Sequence, residues 1–203
     1  CHIGNSVRSS FKSLGLGVSN SRMASVPKGV HKNTRRYYQH INRLCAAFNF
    51  ASDATLGTLG GAVKFRERTS ARLGDVYSNL YLASTALWHF EKSGAKKEDL
   101  PLVHWACTHA LYEAEKALDD LLRNHPNRAI GVGLRPILFP TGTKLQKPDD
   151  KMDRAAADVL REPGPARDNL TSNLYKPTSP QEPLFKLEEA FRLSIETEAL
   201  EKK

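Results

Sequence analysis

Along residues 34–63, positions of one kind recur three or four residues apart: Tyr37, Ile41, Leu44, Phe48, Ala51, Thr55, Leu59 and Val63. That spacing lays one stripe along a helix and predicts a first long helix here. Gly57, Gly60 and Gly61 fall in its second half, where each weakens a helix by about 1 kcal/mol relative to alanine. The chain there either bends or lets another helix approach closely. Residues 66–92 repeat the pattern with Leu73, Val76, Tyr77, Leu80, Ala83, Leu87 and Phe90, and the run Ser93-Gly94-Ala95 ends it. A third helix is expected from Asp99, with Asp99 as cap and Pro101 in the first turn. Its stripe is Val103, Cys107, Ala110, Leu111, Ala114, Leu118 and Leu121, and His125-Pro126 stops it. The last two helices each span roughly 35–40 Å at 1.5 Å per residue. A turn of about six residues joins them, so they should pack antiparallel.

The flanks are less regular. Residues 1–33 are rich in Ser, Gly and Asn and read as a loosely structured basic arm, with a short helix near residues 7–14. After Pro126, a short apolar piece over residues 129–139 is interrupted by Arg135-Pro136 and closed by Pro140. A small helix is expected over residues 149–161. Residues 162–183 carry prolines at 163, 165, 177, 180 and 183 and read as an extended connector. A last helix follows with Leu184, Leu187, Phe191 and Ile195, and Ser179 with Glu182 suggests a capping box around Pro180. The fold class is therefore all-α: long antiparallel helices in a bundle, a proline-rich connector and a C-terminal helix. The organisation is an arm or linker over 1–33 and a helical bundle over 34–139. Residues 140–203 add a short helix, connector and terminal helix to the same C-terminal domain.

Composition changes this picture in one respect. The 203 residues are 40% hydrophobic and 26% charged, enough for an ordinary core. The net charge of +8 is concentrated at the front. Arg8, Lys12, Arg22, Lys28, Lys32, Arg35, Arg36 and Arg43 precede the first acid, Asp53. The remainder of the chain balances 22 basic against 22 acidic residues. Such a front suits nucleic acid, anionic lipid, a phosphorylated cofactor or an acidic protein face, or it is solvated or compensated internally. Three scattered cysteines, Cys1, Cys45 and Cys107, make no disulfide framework and suggest a reducing compartment. The most apolar stretch, residues 44–63, carries too many polar residues to span a bilayer. Residues 1–20 lack a signal-peptide core. A chain opening on Cys1 is expected to be a piece of a longer one.

No residue set assembles into a catalytic constellation. His104 and Cys107 share a helix face, but His109 lies about 140° away from His104 at 100° per residue, so a structural role is expected and no metal site. Gly131-Val132-Gly133 is a fragment of a dinucleotide fingerprint without its strand, third glycine or acid. Glu113, Glu115, Asp119 and Asp120 read as a solvated or salt-bridged face. Tyr37-Tyr38 beside Arg35-Arg36 has the composition of a base-stacking platform, but Tyr37 belongs to the apolar stripe and is read as core.

Five stretches carry a resemblance: TRRYYQHINRL at 34–44, RERTSARLGDVYSNLYLASTAL at 66–87, DLPLVHWA at 99–106, ALYEAEKALDDLLRNHPNR at 110–128 and LFPTGTKLQKPDDKMD at 138–153. In this order they resemble the C-terminal region of the large bacterial, FadE-type acyl-coenzyme A dehydrogenases, over about residues 1–195. The resemblance implies a FAD-dependent oxidoreductase of fatty-acid β-oxidation that converts fatty acyl-CoA to trans-2-enoyl-CoA and passes electrons to an electron-transfer flavoprotein. It also implies that the catalytic glutamate and most flavin contacts lie in dehydrogenase domains upstream. No catalytic residue is assigned here, cofactor-binding residues are left open, and the segment alone is expected to be inactive. The resemblance implies a cytoplasmic enzyme, with peripheral contact on the inner face of the membrane as one option. The competing readings are an accessory module that docks the enzyme on an anionic membrane and, less favoured, a nucleic-acid-binding helical domain.

Overall fold

The structure, a computed structural model, describes residues 2–175 and 177–201; Cys1 and the side chain of Arg8 lie outside the described part. Among the described residues there are eight α-helices and no strand. They are α1 (His2–Val18), α2 (Arg35–Leu59), α3 (Glu67–Lys92), α4 (Leu100–Arg123), α5 (Arg128–Leu138), α6 (Asp150–Arg161), α7 (Pro165–Leu170) and α8 (Pro183–Glu201), with 3₁₀ turns at Gly60–Phe65 and Lys97–Asp99.

The centre is the α3–α4 pair. Arg72 and Asp75 lie level with Ala117 and Asp120, Asn79 with Glu113, and Ala83 with Cys107, so the two helices run antiparallel, as the short connection demands. Across both lies α2. Tyr37 meets His104 and Arg43 meets Glu115, so α2 runs in the direction of α4 and against α3. The shared core holds Leu44, Ala47 and Ala51 from α2, Val76, Leu80, Ala83, Leu87 and Phe90 from α3, and Cys107, Leu111, Ala114, Leu118 and Leu121 from α4. Apart from Ala47, these are positions of the three sequence stripes, and they give the chain a core of its own; Tyr77, expected on the second stripe, instead points outward and is 61% exposed. Leu134, Leu138 and Phe139 close one end.

Several expectations need correction. The front is not loose: α1 runs through His2–Val18 and packs against α2 and α5. The first long helix stops at Leu59, because Gly60 takes a positive φ of 51° and the chain continues as a 3₁₀ turn. The glycines there admit no neighbour, since a Cβ on Gly57, Gly60 or Gly61 would meet open space. Asp99 occupies the cap position without a cap hydrogen bond. The preceding 3₁₀ turn has already placed it at φ −80°, ψ −15°, outside the extended conformation from which a cap reaches back.

The piece over 129–139 is a true helix, α5, with Pro136 inside it. Asn127 starts it by accepting from the N–H groups of Ala129 and Ile130. The connector is not wholly extended, because Pro165 begins the short α7. The capping pair is present in the turn ahead of α8: Ser179 N–H donates to Glu182 Oε1 at 3.0 Å and Gln181 N–H to Ser179 Oγ at 3.4 Å.

Candidate functional site

Two polar assemblies flank the core. The first is buried. Glu115 on α4 and Arg43 on α2 are 2% and 4% exposed and form an ion pair. The other carboxylate oxygen of Glu115 accepts from the backbone N–H groups of Lys144 (2.9 Å) and Leu145 (2.8 Å). One carboxylate thus joins α2, α4 and the strand-like 140–148 segment. With both oxygens engaged, it has a structural task and no lone pair aimed at a substrate. The expectation of a solvated face fails for Glu115, whereas the salt-bridged version holds. Of its neighbours, Glu113 pairs with Lys116 at 3.5 Å and Asp119 pairs with Arg135 of α5.

The second assembly is the elbow between α1 and α2. Asn20 and Ser21 are both left-handed, at φ 47° and 66°, a costly conformation for residues with side chains. Side chains of α2 hold it there. Arg36 donates to Asn20 O, Gln39 Nε2 to Arg22 O at 3.2 Å, and Asn42 Nδ2 to Ser25 O at 2.7 Å. Arg36 also donates to Gln39 Oε1 at 3.0 Å, and His40 Nδ1 lies 3.2 Å from the buried Ser21 hydroxyl. Burial, together with Arg36 and Arg43, pushes the His40 pKa down to about 3, so the ring is neutral at ordinary pH. Burial also lowers the Arg36 pKa, helped by Arg22 and Arg43. Lys12, Arg22, Lys28, Lys32 and Arg35 are exposed. Among the described residues, Arg22, Lys28, Lys32, Arg35 and Arg36 pair with no carboxylate. Of these described side chains, Arg43 is compensated by Glu115, and the other five leave a cationic surface.

The remaining sequence candidates are dispersed. His104 Nδ1 lies 2.8 Å from the Tyr37 hydroxyl, while His109 stacks on Trp105 with centroids 5.0 Å apart. Burial lowers the His104 pKa and raises that of Tyr37. Cys107 is buried and its thiol is pushed up to about 12, which leaves it inert as a nucleophile. Among the described residues, no group of three or more His, Cys, Asp or Glu is placed to hold a metal. Gly131 is explained by packing: a Cβ there would lie 2.2 Å from Leu122 O, so glycine lets α5 approach α4. Tyr38, like Tyr37, is partly buried against the core. It lines a groove with Trp88 between α2 and α3.

Sequence reasoning missed the elbow clasp and the Arg43–Glu115 link. Their signal was present in a polar row at 36, 39–40 and 43, three to four residues apart beside the apolar stripe.

The molecule so defined is a helical module whose polar machinery ties its own elements together. The family described as acyl-CoA dehydrogenase, C-terminal, bacterial type, matches residues 1–203, and the chain belongs to it. It is thus the C-terminal part of an acyl-CoA dehydrogenase. No solved structure matches the chain. Among the described residues, no helix is long and apolar enough to cross a membrane.

Proposed function

We propose that this chain is the helical C-terminal part of a FAD-dependent acyl-CoA dehydrogenase of fatty-acid β-oxidation, which forms trans-2-enoyl-CoA from fatty acyl-CoA. The catalytic base then lies outside these residues, and this segment serves assembly of the enzyme. The observation that carries this reading is Glu115. It is the one buried glutamate among the described residues, and Arg43 and two backbone N–H groups consume it. A base must have a free lone pair within reach of the proton it takes.

The residues whose chemistry fits a phosphate of coenzyme A or FAD are the exposed Arg22 and Arg35, beside Arg36, whose guanidinium already donates to Asn20 O and Gln39 Oε1. Bound FAD would supply the hydride acceptor in such an enzyme. This chain would contribute cationic donors at the periphery, held by the α1–α2 elbow. An acidic face of the dehydrogenase domains suits the same cations.

The test expresses the dehydrogenase domains with and without this chain and follows acyl-CoA-dependent dye reduction and bound flavin. Activity and flavin retention only with both pieces are expected. Full activity without the chain overturns the assembly role. Arg35→Ala with Arg36→Ala in the whole enzyme is expected to raise the KM for acyl-CoA or lower flavin content. An unchanged KM and unchanged flavin removes the phosphate contact.

The uncompensated cationic surface also favours docking on an anionic membrane. Co-sedimentation with anionic vesicles that is lost at high salt would support that second reading, and its absence at low salt would remove it. Steep salt-dependent binding to DNA or RNA would instead revive the nucleic-acid reading.

A further inference from the structure

Over its described second half, helix α1 has two opposite faces. Ser13, Leu16 and Gly17 are buried against the bundle. Phe11, Leu14, Gly15 and Val18 fall on the other side, within an arc of about 100° at 100° per residue. None of the four is charged, and Phe11 is 73% and Val18 62% exposed. Large apolar side chains aligned in this way along a helix mark a surface that something covers.

Three observations bear on what covers it. First, α1 is held with this face outward. A Cβ on Gly17 would lie 2.7 Å from Pro140, so the inner face sits tight on the segment after α5. The clasp of Arg36, Gln39 and Asn42 fixes the elbow at the C-terminal end of α1. The helix therefore cannot roll to bury Phe11 against its own bundle. Second, Gly15 lies in the middle of the outward face with nothing within 4 Å of where a Cβ would stand. Glycine weakens a helix relative to alanine, and no contact inside the chain requires it. The bare backbone there admits the close approach of another element. Third, the chain is the C-terminal part of an acyl-CoA dehydrogenase, so other domains of the enzyme come ahead of α1 in the same polypeptide. Phe11 stands only about 14 Å along the helix from its head at His2, and Val18 about 24 Å. Elements consecutive in a chain are usually neighbours in space.

We propose that the outward face of α1 is the seat of the enzyme's preceding dehydrogenase domains, which cover Phe11, Leu14 and Val18 with an apolar patch of their own. This rests on the reading that the segment serves assembly of the enzyme, and it names the surface that does so. Area decides between this occupant and a second copy. The four residues offer on the order of 400 Å², or about 800 Å² with the surface that covers them. That lies inside the roughly 600–1,500 Å² of contacts between domains of one chain. It falls short of the ~1,200 Å² at which specific interfaces between separate molecules begin. A tethered domain meets its seat at a high effective concentration and needs no more. The elbow then has a task beyond α1 itself. By fixing the angle between α1 and the core helices, it fixes the angle at which the rest of the enzyme is carried.

The test places a cysteine on the face, Val18→Cys, both in this chain alone, whose core is its own, and in the whole enzyme. Maleimide labelling, with the rate of the native thiols subtracted, is expected to be at least tenfold slower in the whole enzyme. Phe11→Glu, at an exposed position, is expected to leave the helicity of the chain unchanged by circular dichroism. In the whole enzyme it should return the Val18→Cys rate to within about threefold of the chain's. Equal rates in chain and enzyme overturn the proposal, and so does protection that Phe11→Glu leaves intact. Protection lost on dilution to concentrations at which subunits separate also overturns it and assigns the face to another copy. Protection that appears only with anionic vesicles overturns it in favour of a lipid surface. Failure of the assembly reading looks different: the dehydrogenase domains would be fully active and flavin-loaded without this chain, whatever the labelling rate. An unprotected Val18→Cys in an enzyme that needs the chain removes the seat alone.

Discussion

At the scale of single residues, the buried charge of Glu115 dominates. Its removal in Glu115→Ala leaves the Arg43 guanidinium buried without a counter-charge, which costs about 3–5 kcal/mol. The urea midpoint should fall accordingly. A joint Arg43→Met, Glu115→Leu change should recover only part of the loss: the apolar pair removes the stranded charge, but the N–H groups of Lys144 and Leu145 stay without their acceptor. His40 gives the stability a pH dependence of definite sign. Its pKa is about 3 when folded against 6.5 for the free side chain. Between those values the unfolded chain holds a proton that the folded chain rejects. Stability is therefore full above about pH 6.5 and falls on acidification, by up to about 1.4 kcal/mol per pH unit. The lowered His104 acts in the same direction. Urea midpoints from pH 7.5 to 4.5 should slope less steeply in His40→Gln; an identical slope would exclude His40 as the source.

At the scale of elements, the three core helices were legible because an apolar stripe reports directly on burial. Most of their buried positions are stripe positions, from Leu44 to Leu121; Ala47 and Leu122 join them from beside the stripe, and Tyr77 leaves it for the surface. What the stripes do not encode is how an end is held. In the described second half of α1, Ser13, Leu16 and Gly17 are buried while Phe11, Leu14 and Val18 stay exposed. A Cβ on Gly17 would lie 2.7 Å from Pro140, a contact no periodicity announces. Pro136 misled for a related reason. It sits near the C-terminal end of α5, so only Ile137 and Leu138 of the helix follow its lost hydrogen bond, and Leu138 and Phe139 bury that end. For α5 the decisive residues are Asn127 and Gly131. Asn127→Ala should lower stability by about 1 kcal/mol through the lost cap. Gly131→Ala should cost about 1–3 kcal/mol, because α5 must move off Leu122. Thermal melts separate the two: a Gly131→Ala protein as stable as the parent would disprove the close approach.

At the scale of the whole molecule, composition located the charge but not its use. Eight basic residues ahead of Asp53 looked like one arm, yet the fold divides them. Arg43 goes inside to Glu115, Arg36 is spent on the Asn20 carbonyl, and Lys12, Arg22, Lys28, Lys32 and Arg35 face outward. Only partners distant in sequence decide between these fates, and Arg43 and Glu115 are 72 residues apart. The family resemblance was legible in ordered stretches because most of those stretches lie in the core helices α2, α3 and α4. The site stayed illegible because this chain's polar residues bind one another.

The clasp at the elbow has a consequence for how this protein can vary. Arg36, Gln39 and Asn42 hold the main-chain carbonyls of Asn20, Arg22 and Ser25, and none of these three bonds involves a side chain of that segment. The segment is thus recognised by its spacing and not by its letters. Substitutions at 22 and 25 should leave the clasp intact, whereas inserting or deleting one residue between 20 and 25 would put every carbonyl out of step with the helix that reads them. The elbow is permissive in content and strict in length.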